Sequence, residues 1–492
     1  MQTHSKYKII HWLRHRNQQR KKTILITGLM LILLFLAKLS LAQDSLQLQT
    51  LSASQAMSIV KRYHPVARIA DINIDMAKAD ITIARGQFDP QLYSSNAQKT
   101  FDGTDYYNYN RPELNIPTWF GVNISTGLEY LSGSRTDPQE TSGKTSYFGV
   151  TVPLAKNLLM DRRRAGLAQA KLFVQQSKAE QLLMVNDVLF EAMDAYWYWV
   201  AQYQVYRILT NAVTINTKRY ETLRITVEQG DRPGIDSTEA LTQLLTFQAA
   251  QANAYNEFLK AGFELSNYLW TQDMQPAVLP ASVVPAVNTD ETDPYKMQFK
   301  PLNELLDVAG TNHPKLQTFQ FKLDALEIER QLKLQSLLPA VNLKYNILSK
   351  GYQVWDSFDA ATLQNNYKFG LEVGIPLFLR QGRGDYRSAK LKIQATEVDR
   401  SATQLGIANK VKQYYNEMLN LLQQLRLQEQ ALQAYQKVFE VELMKFELGE
   451  STLFLLNSRE NKVLESRQKV AELKAKYFKS LYAVEWAAGI LR

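Results

Sequence analysis

The 492-residue sequence predicts a long α-helical barrel joined to a transmembrane β-barrel, and three features carry that expectation. Two stretches of more than sixty residues are patterned as unbroken helices. Short segments alternate apolar and polar residues as strands do. The same order of landmarks also occurs twice along the chain, which predicts two tandem repeats of helix, strands, long helix and helix.

The first rod runs from Leu167 to Gln229, 63 residues without Gly or Pro. At 1.5 Å per residue it is about 95 Å long, several times the mean helix of a compact domain. Its twin, Asp385 to Leu448, has 64 residues without Pro and a single Gly at 406, with Leu391, Val398, Leu405, Val411, Leu422, Leu425 and Leu432 at helical or heptad-like spacing. Shorter helices are expected at Pro65 to Arg85 and Pro314 to Ser336, and returning helices at Ser237 to Trp270 and Thr452 to Ala488. Laid end to end, the short and returning helix of each half cover one rod. The junction then falls at mid-height, where the Pro- and Val-rich linker Thr271 to Lys300 and the C-terminus gather.

The repeat is read from paired landmarks. His64-Pro65 recurs as His313-Pro314, Val152-Pro153-Leu154 as Ile375-Pro376-Leu377, and Gly230-Asp231 as Gly449-Glu450. These set boundaries of 43–300 for the first repeat and 301–492 for the second. Between the helices, Phe120 to Tyr130, Phe148 to Leu154, Val341 to Ile347 and Tyr367 to Ile375 alternate apolar with polar or Gly residues, and Gln91 to Phe101 is a weaker fifth candidate. Such alternation suits a barrel with lipid outside and water inside, and equally a half-buried soluble sheet. Four strands are too few to close a barrel, so several chains must share one.

Residues 1–42 carry eight Lys or Arg, no Asp or Glu, the apolar run Thr23 to Ala37 and the small-residue site Ser40-Leu41-Ala42. That pattern predicts a secretory signal peptide cleaved before Gln43, the other reading being an uncleaved inner-membrane anchor. Without it, 49 basic residues face 48 acidic ones, so the whole-chain charge of +9 gives no reason to expect nucleic acid. There is no Cys, which excludes disulfides, thiolate metal sites, cysteine nucleophiles and acylation of an N-terminal cysteine. No Gly-rich phosphate loop stands between a strand and a helix, so no enzyme and no cofactor are expected.

Leu51-Ser52 with Ala56, His64-Pro65, Ala77, Ala84-Arg85, Phe88-Asp89-Pro90, Val152-Pro153-Leu154, Asp161-Arg162-Arg163-Arg164-Ala165, Gln169-Ala170 and Gly449 before Leu455-Leu456-Asn457 together resemble the TolC-type outer-membrane efflux proteins. The resemblance spans nearly all of the chain after residue 42. It implies a homotrimer in which four strands per chain form a twelve-stranded barrel in outer-membrane lipid, continued by a helical tunnel into the periplasm. It further implies a passive exit duct for efflux or type I secretion, with a periplasmic adaptor and an inner-membrane pump of the RND or ABC class as partners. The reading from another class is a soluble periplasmic coiled-coil scaffold or adaptor, whose sheets would be buried in protein.

Within that frame the Gly turns at the rod ends form the periplasmic tip. Glu228, Asp231, Asp236 and Glu239 cluster at the first turn, and Glu447 and Glu450 at the second. Repeated by symmetry, these carboxylates would ring a narrow mouth and favour cations. Asp236 with Glu239 also reads as a capping box before a helix from Ser237, and Ser451 or Thr452 as an N-cap. Family members often carry acidic residues where this chain has Leu455, Leu456 and Asn457. At the junction of barrel and helix stand Pro153, Pro376 and Arg162, Arg163 and Arg164, with Asp161 beside them, or inner-leaflet phosphates, as the expected counter-charge at the positive helix end. Trp119, Tyr130, Tyr147, Trp355, Tyr367 and Phe369 are candidates for an interfacial aromatic belt. His64 and His313 are expected to serve as turn and packing residues rather than metal ligands.

Overall fold

The computed structural model describes residues 50–137, 140–286, 293–352 and 366–492. The predicted signal peptide and Trp355 lie outside them. In chain order the elements are β1 (Thr50–Leu51), α1 (Ala53–Tyr63), α2 (Pro65–Gly86), β2 (Gln91–Phe101), β3 (Thr104–Pro117), β4 (Asn123–Ser132), β5 (Gly143–Pro153), α3 (Arg162–Glu228), α4 (Gly234–Ser266), β6 (Val284–Pro285), α5 (Leu302–Asn312), α6 (Pro314–Gln335), β7 (Ala340–Lys350), β8 (Tyr367–Gly374), α7 (Arg380–Glu447) and α8 (Leu453–Ala487). β1 and β6 pair in parallel in a small unit with residues 280–286; the other elements form the second unit.

The two rods are helices of 67 and 68 residues, each starting about five residues before the periodic stretch. α3 starts early because Asp161, in extended conformation, accepts the Arg164 backbone N–H at 2.9 Å and so caps it. In the first half α2 and α4 pack along α3, and in the second α6 and α8 pack along α7. α3 also packs on α6 and α8, which joins the halves. The interior there is aromatic: Trp197 stacks on Phe478 with ring centroids 4.4 Å apart, and Trp199 lies 6.0 Å from Phe258. At the mid-height junction each His bridges two helices. His64 Nδ1 accepts the Val66 N–H at 3.2 Å, and His313 Nδ1 the Lys315 N–H at 3.1 Å. The ends of the returning helices meet them: His64 stacks on Tyr268, and Gly489 packs against His313 and Pro314. As expected, both histidines are turn and packing residues.

The sheet corrects the strand count. Among the described residues it holds six strands in the order β2-β3-β4-β5-β7-β8, all antiparallel, in place of four. The weak candidate at Gln91 to Phe101 is a full strand, and β3 gave no sequence signal. Both carry polar side chains on two faces along much of their length, so period-2 alternation is lost and pairing alone defines them. Where alternation is strong, the register converts it into two faces. One cross-strand row reads Ile116, Ile124, Val150, Tyr345 and Phe369, and the next on that side includes Leu114, Thr126, Phe148, Ile347 and Tyr367. The opposite face is polar: Arg111 lies 3.1 Å from Glu113 and 3.3 Å from Glu129, and the Tyr147 hydroxyl donates to Glu113 at 2.6 Å. Tyr147 is therefore not part of an outward aromatic belt, being 1% exposed on the polar side.

Candidate functional site

Two places in the second unit gather the chemistry: the apolar face of the sheet, and the paired Gly turns at the far ends of α3 and α7. A helix of 67 residues separates them by about 100 Å.

On the sheet, Tyr345, Tyr367, Phe369, Leu371 and Val373 share the apolar face and are 44–63% exposed. β2 and β8 are the edge strands, each with one neighbour. A large exposed apolar patch ending in unpaired strand edges is unstable in water and calls for lipid and further strands. Among the described residues no helix is long and apolar enough to cross a membrane.

The predicted junction residues gather at the foot of the sheet. Pro153 ends β5 opposite Asn342, and Leu154 continues the pairing by donating its N–H to Val341 O at 2.7 Å. The Arg164 guanidinium lies 3.2 Å from Asp161 and donates to Asn157 O at 2.6 Å and Leu158 O at 3.0 Å, while Arg163 reaches Asn123 Oδ1 at 3.1 Å. Arg164 thus ties the strand-to-helix loop to α3 and Arg163 ties α3 to the start of β4, with Asp161 as the counter-charge. Arg162 is exposed beside them. Pro376 starts the turn into α7, its carbonyl accepting the Leu379 N–H at 3.3 Å.

At the tip the two turns are built alike. Gly230 and Gly449 take φ of +82° and +78°, the left-handed conformation that ends a helix and is cheapest for Gly. Asp231 N–H then reaches back to Thr226 O at 3.0 Å and Glu450 N–H to Lys445 O at 2.8 Å. Glu228, Asp231, Glu447 and Glu450 are exposed there, whereas Asp236 and Glu239 are half-buried. The capping box is corrected. α4 starts at Gly234 after Pro233, so Asp236 lies inside the first turn and caps nothing. Instead it pairs with Arg232 at 3.4 Å, and Glu239 accepts from Asn457 Nδ2 at 3.4 Å. Thr452 is the N-cap of α8, as expected.

What joins the two hairpins here has no signal in the local sequence. Arg232 donates to Phe446 O at 2.9 Å, with its guanidinium 4.1 Å from the centre of the Phe446 ring. Farther up, Glu460 of α8 pairs with Arg219 of α3 at 2.5 Å and accepts from Asn216 Nδ2 at 3.1 Å. Gln243 bonds Asn461 at 2.8 Å. No group of three or more metal-ligating side chains exists among the described residues.

A two-faced antiparallel sheet mounted on paired 67- and 68-residue helices defines the class: a channel-type architecture of sheet and long helical extension. Residues 305–489 match the family model described as outer membrane efflux protein, so the resemblance to the TolC-type outer-membrane efflux proteins holds. The fold is similar to that of the Campylobacter jejuni CmeC outer membrane channel, with 13% identity, a TM-score of 0.62, and 89% of this chain and 85% of that one covered. It is also similar to the outer membrane protein VceC of Vibrio cholerae, with 13% identity, a TM-score of 0.61 and coverage of 89% and 96%. For the open state of the Neisseria gonorrhoeae MtrE outer membrane channel the values are 13% and 0.60, with 89% of each chain covered. A search of the curated proteins returns no match.

Proposed function

We propose that this chain is the outer-membrane exit duct of an efflux pump or type I secretion system and that it passes solutes or polypeptides without chemistry of its own. The observation that carries the reading is the exposed apolar sheet face on Tyr345, Tyr367, Phe369, Leu371 and Val373, mounted on helices about 100 Å long. Six strands fall short of the eight that a filled barrel needs, so copies must share one barrel. The six alternate in direction, so β8 of one copy meets β2 of the next antiparallel, and three copies close without a mismatched edge. Such a homotrimer has eighteen strands rather than twelve, with Leu92 and Leu114 continuing the lipid-facing side and the polar outward positions Ser94, Asn96, Asn108 and Asn110 carrying the far part of the β2–β3 hairpin beyond the hydrocarbon.

In this assembly the exposed Glu228, Asp231, Glu447 and Glu450 ring the periplasmic mouth and favour cations. Asp236 and Glu239 hold the two hairpins in register around it. A periplasmic adaptor and an inner-membrane RND or ABC pump complete the path. Fractionation and light scattering in neutral detergent test the reading. Recovery in the outer membrane as a threefold mass is expected, and a folded monomer released without detergent overturns it.

A further inference from the structure

Between α3, α7 and α8, away from tip and sheet, lies a cleft of about 260 Å³ whose chemistry the duct does not use. Its walls are Trp197, Val200 and Ile208 of α3, Leu432 of α7 and Val470 of α8, and its polar lining is Gln204, Arg467 and Lys474. Arg467 and Lys474 lie two turns apart on one face of α8, half-buried, and neither makes a hydrogen bond or an ion pair among the described residues. No carboxylate lines the cleft. Trp197 is 3% exposed, and its indole N–H has no hydrogen-bond partner. A buried donor without an acceptor is costly, and two half-buried cations without a counter-ion add to that cost. One kind of guest suits the two unpaired cations and the apolar walls together: an apolar body with an anionic group.

We propose that this cleft binds a small amphipathic organic anion, such as an aryl sulfonate or a short-chain carboxylate. The ring or chain lies against Trp197, Val200 and Leu432, and the anionic oxygens accept from Arg467 and Lys474. The volume is below that of a drug-sized pocket, which limits the guest to about one fused ring system.

The test is calorimetric titration of the intact protein in neutral detergent at low salt with naphthalene-2-sulfonate. The cation 2-naphthylmethylammonium, of matched size, is the control. Saturable binding of the sulfonate alone is expected, weakening as salt rises. Replacing Arg467 and Lys474 together by Gln should weaken it by about tenfold or more, since charge-assisted hydrogen bonds are lost. Replacing Lys462 and Lys469, already paired with Glu465 and Glu472, should leave it unchanged. Equal binding of the two naphthalenes, equal affinity in the Arg467/Lys474 variant, or no saturable binding at all overturns the assignment. None of these readouts depends on conduction, so they stand apart from the duct reading.

Discussion

Glu460→Gln is the sharpest probe of how the two hairpins are held together above the tip. The carboxylate and the Arg219 guanidinium are 2.5 Å apart, with side chains only 9% and 12% exposed, and Asn216 donates to the same carboxylate at 3.1 Å. The amide keeps the shape but strands the guanidinium without its counter-ion. Breaking one partner of a buried pair costs about 3–5 kcal/mol, and the residual exposure argues for the lower end. A loss of about 3 kcal/mol raises the local opening equilibrium by roughly a hundredfold. Amide hydrogen exchange on the intact protein should therefore accelerate by about that factor around Asn216 and Arg219 of α3 and along the first turns of α8, with little change near the sheet. Arg219→Met combined with Glu460→Leu should recover most of the protection, because an apolar pair carries no desolvation debt. Exchange that changes by less than about threefold in Glu460→Gln would show that water already screens the pair, and the clamp would have to be sought at Arg232 and Phe446.

Leu371→Arg places a charge on the exposed apolar face and should cost about 2–4 kcal/mol in folding assays in lipid, while Glu372→Gln on the opposite face is mild; equal tolerance would refute a lipid-facing β8. Asp231→Asn with Glu450→Gln should lower cation preference in planar-bilayer recordings at low salt without unfolding the protein; unchanged selectivity would move the filter away from the tip. His313 supplies a pH test. Burial, reinforced by the charge on Lys315, lowers its imidazole from 6.5 to about 4. Between those values the unfolded chain binds the extra proton, so stability is complete above about pH 6.5 and falls by up to about 3 kcal/mol as the pH drops to about 4. Denaturation midpoints across that window should flatten in His313→Asn, which keeps a capping side chain but does not titrate; an unchanged slope would assign the effect to other groups.

The rods were legible because a helix is written in local spacing, and more than sixty residues without Pro leave the backbone no other cooperative choice. β4, β5, β7 and β8 were legible for the same reason, since apolar residues at every second position declare a two-faced strand. β3 was not: Asn108 and Asn110 on one face and Tyr109, Arg111 and Glu113 on the other show no period, and only hydrogen bonding to β2 and β4 makes Thr104–Pro117 a strand. Asp236 was read as a cap from a four-residue pattern. Its true partner is Arg232, which is held in place by Phe446 across the neighbouring hairpin. Glu460 looks in sequence like any solvated residue of a long helix, and only the packing of α8 against α3 buries it beside Arg219. What the sequence determined alone was periodicity: which segments are rods, which are two-faced strands, and where Gly must turn the chain. Strand number, charge partners and the contacts between hairpins were decided by tertiary structure, because those groups lie hundreds of residues apart and their pairing depends on which surfaces lose water together.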